Sequence, residues 1–228
     1  MDDKTQQPTL SDTARVVAER VRSLRDYLEL LDENGQYVAW PEPVMLEPDV
    51  REVAVAAGRD SMHGPAVMFD QIRGYPEKRL LIGAHGSFSN LALLLGHPKG
   101  TTIKALFHEI VGRWGSDTPL ISRVSSSDAP IHENRVESDI NLYDLLPLYP
   151  VNEYDGGFYI AKANVVSRDP EAPDDFDRQN VGIYRIQVHG PDLISILSVP
   201  SHDLGRQIMA AEAAGLPLKV AIMIGNHP

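Results

Sequence analysis

No cysteine occurs anywhere in the 228 residues. That absence excludes a disulfide framework, thiolate metal sites and a cysteine nucleophile. It also fits a reducing compartment, so the expected location is the cytoplasm. Basic charge is scarce too. Lys and Arg number 21 against 32 Asp and Glu, which leaves a net charge of −11. This is the wrong sign for neutralising nucleic-acid phosphates or an anionic membrane surface, so neither partner is expected. No apolar run approaches the roughly 20 residues that cross a bilayer. Residues 1–15 (MDDKTQQPTLSDTAR) lack the basic-then-apolar order of a signal peptide and read as a flexible leader.

What remains is ordinary globular composition, 43% hydrophobic, with enough chain for a real core. Val17, Val21, Leu24, Leu28 and Leu31 recur at helical spacing over residues 13–31. Ser23 is a candidate cap for a second helix from Leu24, so one bent helix or two are open. Asn34-Gly35 ends this region. Strands are expected over residues 36–40, 66–69 and 80–82, and helices over 49–58, 89–95 and 102–114. A Ser-, Asp- and Pro-rich stretch then reads as a connector. Beyond it come β-rich runs at 159–167, 182–189 and 193–199, a helix at 203–214 stopped by Gly215, and a strand at 218–224. The domain plan is thus a leader (1–15), an N-terminal α/β module (16–118), a connector (119–150) and a strand-dominated part (151–228). The last strand is followed only by Gly225-Asn226-His227-Pro228, as expected of a cut chain.

Chemistry concentrates between Asn152 and His202. Asp155-Gly156-Gly157-Phe158 is a glycine turn entering a strand, Asn180 precedes a strand that carries Arg185, and Pro200-Ser201-His202-Asp203 opens a helix. A helix N-terminus offers free N–H groups and partial positive charge to a phosphate. A histidine there and an amide oxygen nearby suit Mg²⁺ or Mn²⁺. Arg185 can pair bidentately with a carboxylate. Plainer duties are open for the same residues: a turn for Asn180, a solvated charge for Arg185, and capping by Ser201 or Asp203 with His202 idle. His108-Glu109 begins like a zinc-protease helix, but Gly112 stands where the second histidine would be.

Read as a string, Asn180-Val181-Gly182-Ile183-Tyr184-Arg185 resembles the Asn-x-Gly-Ile-Tyr-Arg signature of the UbiD decarboxylase family. Asp155-Gly156-Gly157-Phe158-Tyr159 and Val166-Ser167-Arg168-Asp169-Pro170 match the same family in the same order. So do Leu24-Arg25-Asp26-Tyr27-Leu28, Gly64-Pro65-Ala66, Gly74-Tyr75 and Leu146-Pro147. The branch most similar in appearance acts on 4-hydroxybenzoate and vanillate-like acids.

The resemblance implies an α+β fold, in which an N-terminal α/β module precedes the first part of a split β-barrel that binds prenylated FMN. It implies metal ligation by Asn180 and His202. Cofactor contact would come from Ile183, Tyr184 and Arg185, and from Ser198, Val199, Pro200 and Ser201 on the next strand. Arg185 would be the catalytic arginine of a Glu–Arg–Glu network. Mn²⁺ or Mg²⁺ would bridge to the cofactor phosphate with K⁺ beside it. A flavin prenyltransferase would supply the cofactor, and a homo-oligomer is expected. The family's third ligand and both network glutamates have no counterpart before Pro228, so the chain alone is expected to be inactive. A non-catalytic flavin-binding or scaffold subunit, needing a complementing C-terminal half, is the alternative. An unrelated flavin-reductase-like barrel is disfavoured by the continuous match.

Overall fold

The computed structural model describes residues 12–114 and 125–228. Most of the expected leader, and the expected module–connector boundary, lie outside the described residues. The chain is mixed α and β and forms two compact units.

The first unit comprises the described residues of Met1–Pro43, Glu52–Gln71 and Arg79–Ile140. It opens with two helices, α1 (Asp12–Arg20) and α2 (Leu24–Glu33). Ser23 separates them because its extended backbone lets its hydroxyl accept the Asp26 N–H at 3.3 Å. Asn34 and left-handed Gly35 (φ +64°) end α2. Strands β1 (Tyr37–Trp40) and β2 (Ala66–Phe69) pair in parallel, with α3 (Arg51–Gly58) between them in the chain. Strand β3 (Leu80–Ile82) adds antiparallel to β2. Ser87 caps α4 (Phe88–Leu94) and Thr102 caps α5 (Ile103–Arg113), each accepting from the N–H three residues on.

Val17, Val21, Leu30, Leu31, Ala66 and Leu93 pack around Tyr27, which is fully buried. Burial raises the Tyr27 phenol pKa above its ordinary value. The hydroxyl lies 2.9 Å from the Ala84 carbonyl and 3.0 Å from that of Asn90. Its one hydrogen is shared between them. Tyr27→Phe removes the donor and keeps the ring, so it should cost about 1–3 kcal/mol, the penalty for buried groups losing their partner. Urea unfolding of the two proteins checks this.

The second unit comprises Val44–Arg51, Ile72–Lys78 and Asn141–Pro228. Within the expected connector lies a short helix that the sequence reading did not anticipate, α6 (Leu142–Leu145). The carbonyl of its Tyr143 accepts the Tyr75 hydroxyl at 2.7 Å. The rest is β4 (Phe158–Ile160), β5 (Asn164–Arg168), β6 (Gln179–Ile183), β7 (Ile186–Val188), β8 (Ile194–Ile196), α7 (Asp203–Ala214) and β9 (Val220–Met223). They form two antiparallel sheets, ordered β4-β7-β8 and β6-β5-β9. Among the described residues no sheet closes into a barrel.

Two of the expected β-rich runs prove to be pairs of strands. The run at 159–167 divides into β4 and β5, and that at 182–189 into β6 and β7, so each run passes from one sheet to the other. Tyr184 and Arg185 are the whole link at the second crossing. Both sheets and α7 share one core of Ala163, Val165, Tyr184, Ile186 and Leu204.

Candidate metal and anion site

In β6 and the link after it, side chains alternate sides of an extended backbone. Asn180 and Tyr184 face inward, while Val181, Ile183 and Arg185 are exposed. Asn180 sits opposite Ser167 of β5 in the ladder. Its Nδ2 donates to Ser167 Oγ at 3.3 Å and to the Tyr184 hydroxyl at 3.2 Å. Ser167 is 1% exposed and Tyr184 9%. Among the described residues no donor is paired with Asn180 Oδ1.

His202 stands at the N-cap of α7. Its own N–H donates to the Val199 carbonyl at 2.9 Å, and its side chain makes no capping bond. The cap is therefore His202 rather than Ser201 or Asp203; Asp203 instead pairs with Arg206 at 3.3 Å. Its imidazole lies against Tyr184, with ring centroids 6.2 Å apart. The first-turn amides of α7 have no intrahelical acceptor and carry partial positive charge.

Ser198, Val199, Pro200 and Ser201 do not lie on a strand as expected. β8 ends at Ile196, and these residues form the loop that leads into α7. The loop seats closely because Gly205 has no side chain: a Cβ there would stand 2.9 Å from the Val199 carbonyl carbon and 3.0 Å from Pro200 Cα. Within the loop, Ser198 Oγ is buried and has no hydrogen-bond partner among the described residues.

Arg185 projects away from this cluster. Its guanidinium carbon lies 5.6 Å from the centre of the Tyr159 ring, and among the described residues it forms no ion pair. Tyr159, Gln187 and Ser195 align across β4, β7 and β8. Gln187 Nε2 donates to the Gly156 carbonyl at 3.2 Å, which ties the glycine turn to this row. The fold thus brings together Asn180, Tyr184 and His202, and puts Ile183 and Arg185 on the other side of the same segment.

The donor set fits a divalent ion next to an anion. An amide oxygen without a donor and an imidazole free of capping duty suit Mn²⁺ or Mg²⁺. The orphaned Ser198 hydroxyl and the first turn of α7 suit phosphate oxygens. Among the described residues no group of three or more His, Cys, Asp or Glu is gathered. No helix among them is long and apolar enough to cross a membrane. A cavity of about 360 Å³ in the first unit, lined by Ser127–Pro130, His132, Glu133 and Arg135, contains none of these site residues. Ser167, Gly182, Gly205 and Tyr159 were missed as site builders. Ser167, Gly182 and Tyr159 lay within the matched strings, but only strand register and the packing of the Tyr184 ring give them roles.

Residues 28–110 match the N-terminal domain of 3-octaprenyl-4-hydroxybenzoate carboxy-lyase, and residues 122–228 match its Rift-related domain. The chain is 44% identical to a phenolic acid decarboxylase of Sedimentibacter hydroxybenzoicus over 212 residues, 93% of this chain and 44% of that protein. It is 42% identical to a phenolic acid decarboxylase of Bacillus subtilis, covering 91% of this chain and 43% of the relative. Among solved structures it resembles vanillic acid decarboxylase of S. hydroxybenzoicus in closed form, with a TM-score of 0.85 at 44% identity over 91% of this chain and 43% of that one. It also resembles an evolved dimeric form of the UbiD-class enzyme HmfF from Pelotomaculum thermopropionicum, solved in complex with prFMN. There the TM-score is 0.73 at 29% identity, over 90% of this chain and 45% of that one. The chain therefore spans less than half the length of the relatives it matches.

Proposed function

As this chain belongs to the UbiD family of carboxy-lyases, we propose that it supplies the metal- and phosphate-binding end of an aromatic hydroxy acid decarboxylase. Substrates of the 4-hydroxybenzoate or vanillate type fit this reading, and the reaction is reversible as a carboxylation. The cofactor is prenylated FMN from a flavin prenyltransferase, with Mn²⁺ or Mg²⁺ and K⁺ at its phosphate. When bound, it supplies the electron sink that an aryl group needs as CO₂ leaves. The prFMN complex of HmfF supports this choice of flavin.

In this reading Asn180 Oδ1 and the His202 imidazole hold the divalent ion. Ser198, Ser201 and the first-turn amides of α7 take the phosphate. Ile183, Val199 and Pro200 offer apolar contact to the flavin. Arg185, steadied over Tyr159, orients a carboxylate. The two sheets of the second unit are the first part of a split barrel, within an enzyme that is a cytoplasmic homo-oligomer. The observation that carries the proposal is the meeting of Asn180, Tyr184 and His202 at a helix N-terminus with free amides.

The 228-residue polypeptide offers two metal ligands and no carboxylate partner for Arg185 among its described residues, so by itself it should not turn over. Co-expressed with a flavin prenyltransferase, it should purify colourless and release no CO₂ from 4-hydroxybenzoate or vanillate with Mn²⁺ and K⁺. Joined to the further sequence that its relatives carry, it should gain flavin absorbance and activity together. Turnover by the 228 residues alone would overturn the claim of dependence. A joined protein that binds flavin but decarboxylates no aryl acid would overturn the proposed activity.

A further inference from the structure

We propose that Tyr184 is a positioning residue whose hydroxyl anchors the Asn180 side-chain amide, and whose ring carries the His202 imidazole. The inference rests on the reading of those two residues as metal ligands and deepens it, because it says what makes a two-residue pair into a site.

Residues four apart on an extended strand are separated by about 13 Å along the chain. The Tyr184 hydroxyl nevertheless reaches the Asn180 amide at 3.2 Å. The ring manages this by folding back along the strand over Gly182. A Cβ at position 182 would stand 2.7 Å from Tyr184 Cε2 and 3.1 Å from both Cζ and the hydroxyl oxygen. Gly182 has no left-handed backbone angle. Its role is to leave room for the ring.

A primary amide has two N–H donors and one oxygen. Here Nδ2 is matched to two hydroxyl groups, Ser167 from the neighbouring strand and Tyr184 from the link just beyond its own strand. With the nitrogen held on that side, Oδ1 is directed to the other. An amide free to turn would present N–H groups to a cation for part of the time, which repels it. The hydroxyl pair fixes where the amide sits. Because each hydroxyl can donate as well as accept, a cation at Oδ1 selects the orientation in which both accept from Nδ2. The imidazole is steadied differently. His202 is exposed and forms no side-chain cap, and its ring contact is with Tyr184.

The two duties separate by substitution, which a merely structural tyrosine would not allow. NMR of the ¹⁵N-labelled 228-residue chain, first metal-free and then titrated with Mn²⁺, reads both. Tyr184→Phe keeps the ring and loses the hydroxyl. It should shift the Asn180 side-chain amide signals, speed their solvent exchange and weaken Mn²⁺ binding roughly 10-fold, as losing an outer-shell partner does, while leaving the His202 ring signals in place. Tyr184→Leu should move both sets. Ser167→Ala tests the same amide with Tyr184 intact, and stands in if Tyr184→Phe does not fold. Asn180 signals unmoved in Tyr184→Phe, or in Ser167→Ala where that variant stands in, would overturn the proposal. An amide that responds in the metal-free protein, but is never broadened by Mn²⁺, supports the positioning and overturns the ligand reading instead.

Discussion

His202→Ala, in the protein joined to the further sequence that its relatives carry, is expected to release the divalent ion and with it the flavin, so that no decarboxylation is detected. Loss of an outer-shell partner already costs roughly 10–100-fold in metal affinity or activity, and loss of a direct ligand should exceed that. The fold should barely notice. His202 makes no capping bond through its side chain and is exposed, and such surface changes usually stay within about 0.5 kcal/mol. The expected signature is therefore metal and flavin gone, with a melting temperature equal to that of the metal- and flavin-free parent, because bound ligand itself stabilises the fold. Metal analysis and visible absorbance of the purified variant, next to its thermal melt, check it. A variant that retains Mn²⁺ at full occupancy would remove His202 from the site.

Gly205→Ala should strike stability and site together. Its Cβ would meet backbone rather than a movable side chain, at the Val199 carbonyl group and Pro200 Cα. Either the loop or the first turn of α7 must shift. Overpacking of this kind costs about 1–3 kcal/mol, and the displaced segment is the one that carries Ser198, Ser201 and His202. A lowered urea midpoint and weakened Mn²⁺ binding are both expected. Gly112→Ala is the matched control. Gly112 lies inside α5 with nothing within 4 Å of a new Cβ, so alanine there should raise stability by about 0.5–1 kcal/mol through helix propensity.

Local signals were legible in the sequence wherever the determining contact is also local. Ser23 capping α2, Gly35 closing it and Gly215 stopping α7 in the left-handed region are set by neighbours three or four residues away. The sheet crossing at Tyr184-Arg185 was not legible, and the reason is physical. From Ile183 to Val188 the alternation of exposed and buried residues continues unbroken while the pairing strand changes. Period two reports which side faces the core, not which strand supplies the hydrogen bonds. The site divides the same way. Asn180, Arg185 and His202 stood out through their strings. Ser167 gained a role only because the register sets it opposite Asn180, and Gly182 only because a ring folds over it.

The central claim is that Asn180 and His202 hold a divalent ion at the N-terminus of α7. Paramagnetic broadening by Mn²⁺ tests it most directly, because it maps even weak binding on the 228-residue chain without needing turnover. With inorganic phosphate present, the earliest signals lost should be the Asn180 side-chain amide, the His202 ring and the backbone amides of residues 203–205. Early broadening confined to the carboxylate-rich stretch of Asp169, Glu171, Asp174, Asp175 and Asp177, with Asn180 and His202 still sharp at the same Mn²⁺ concentration, would contradict it.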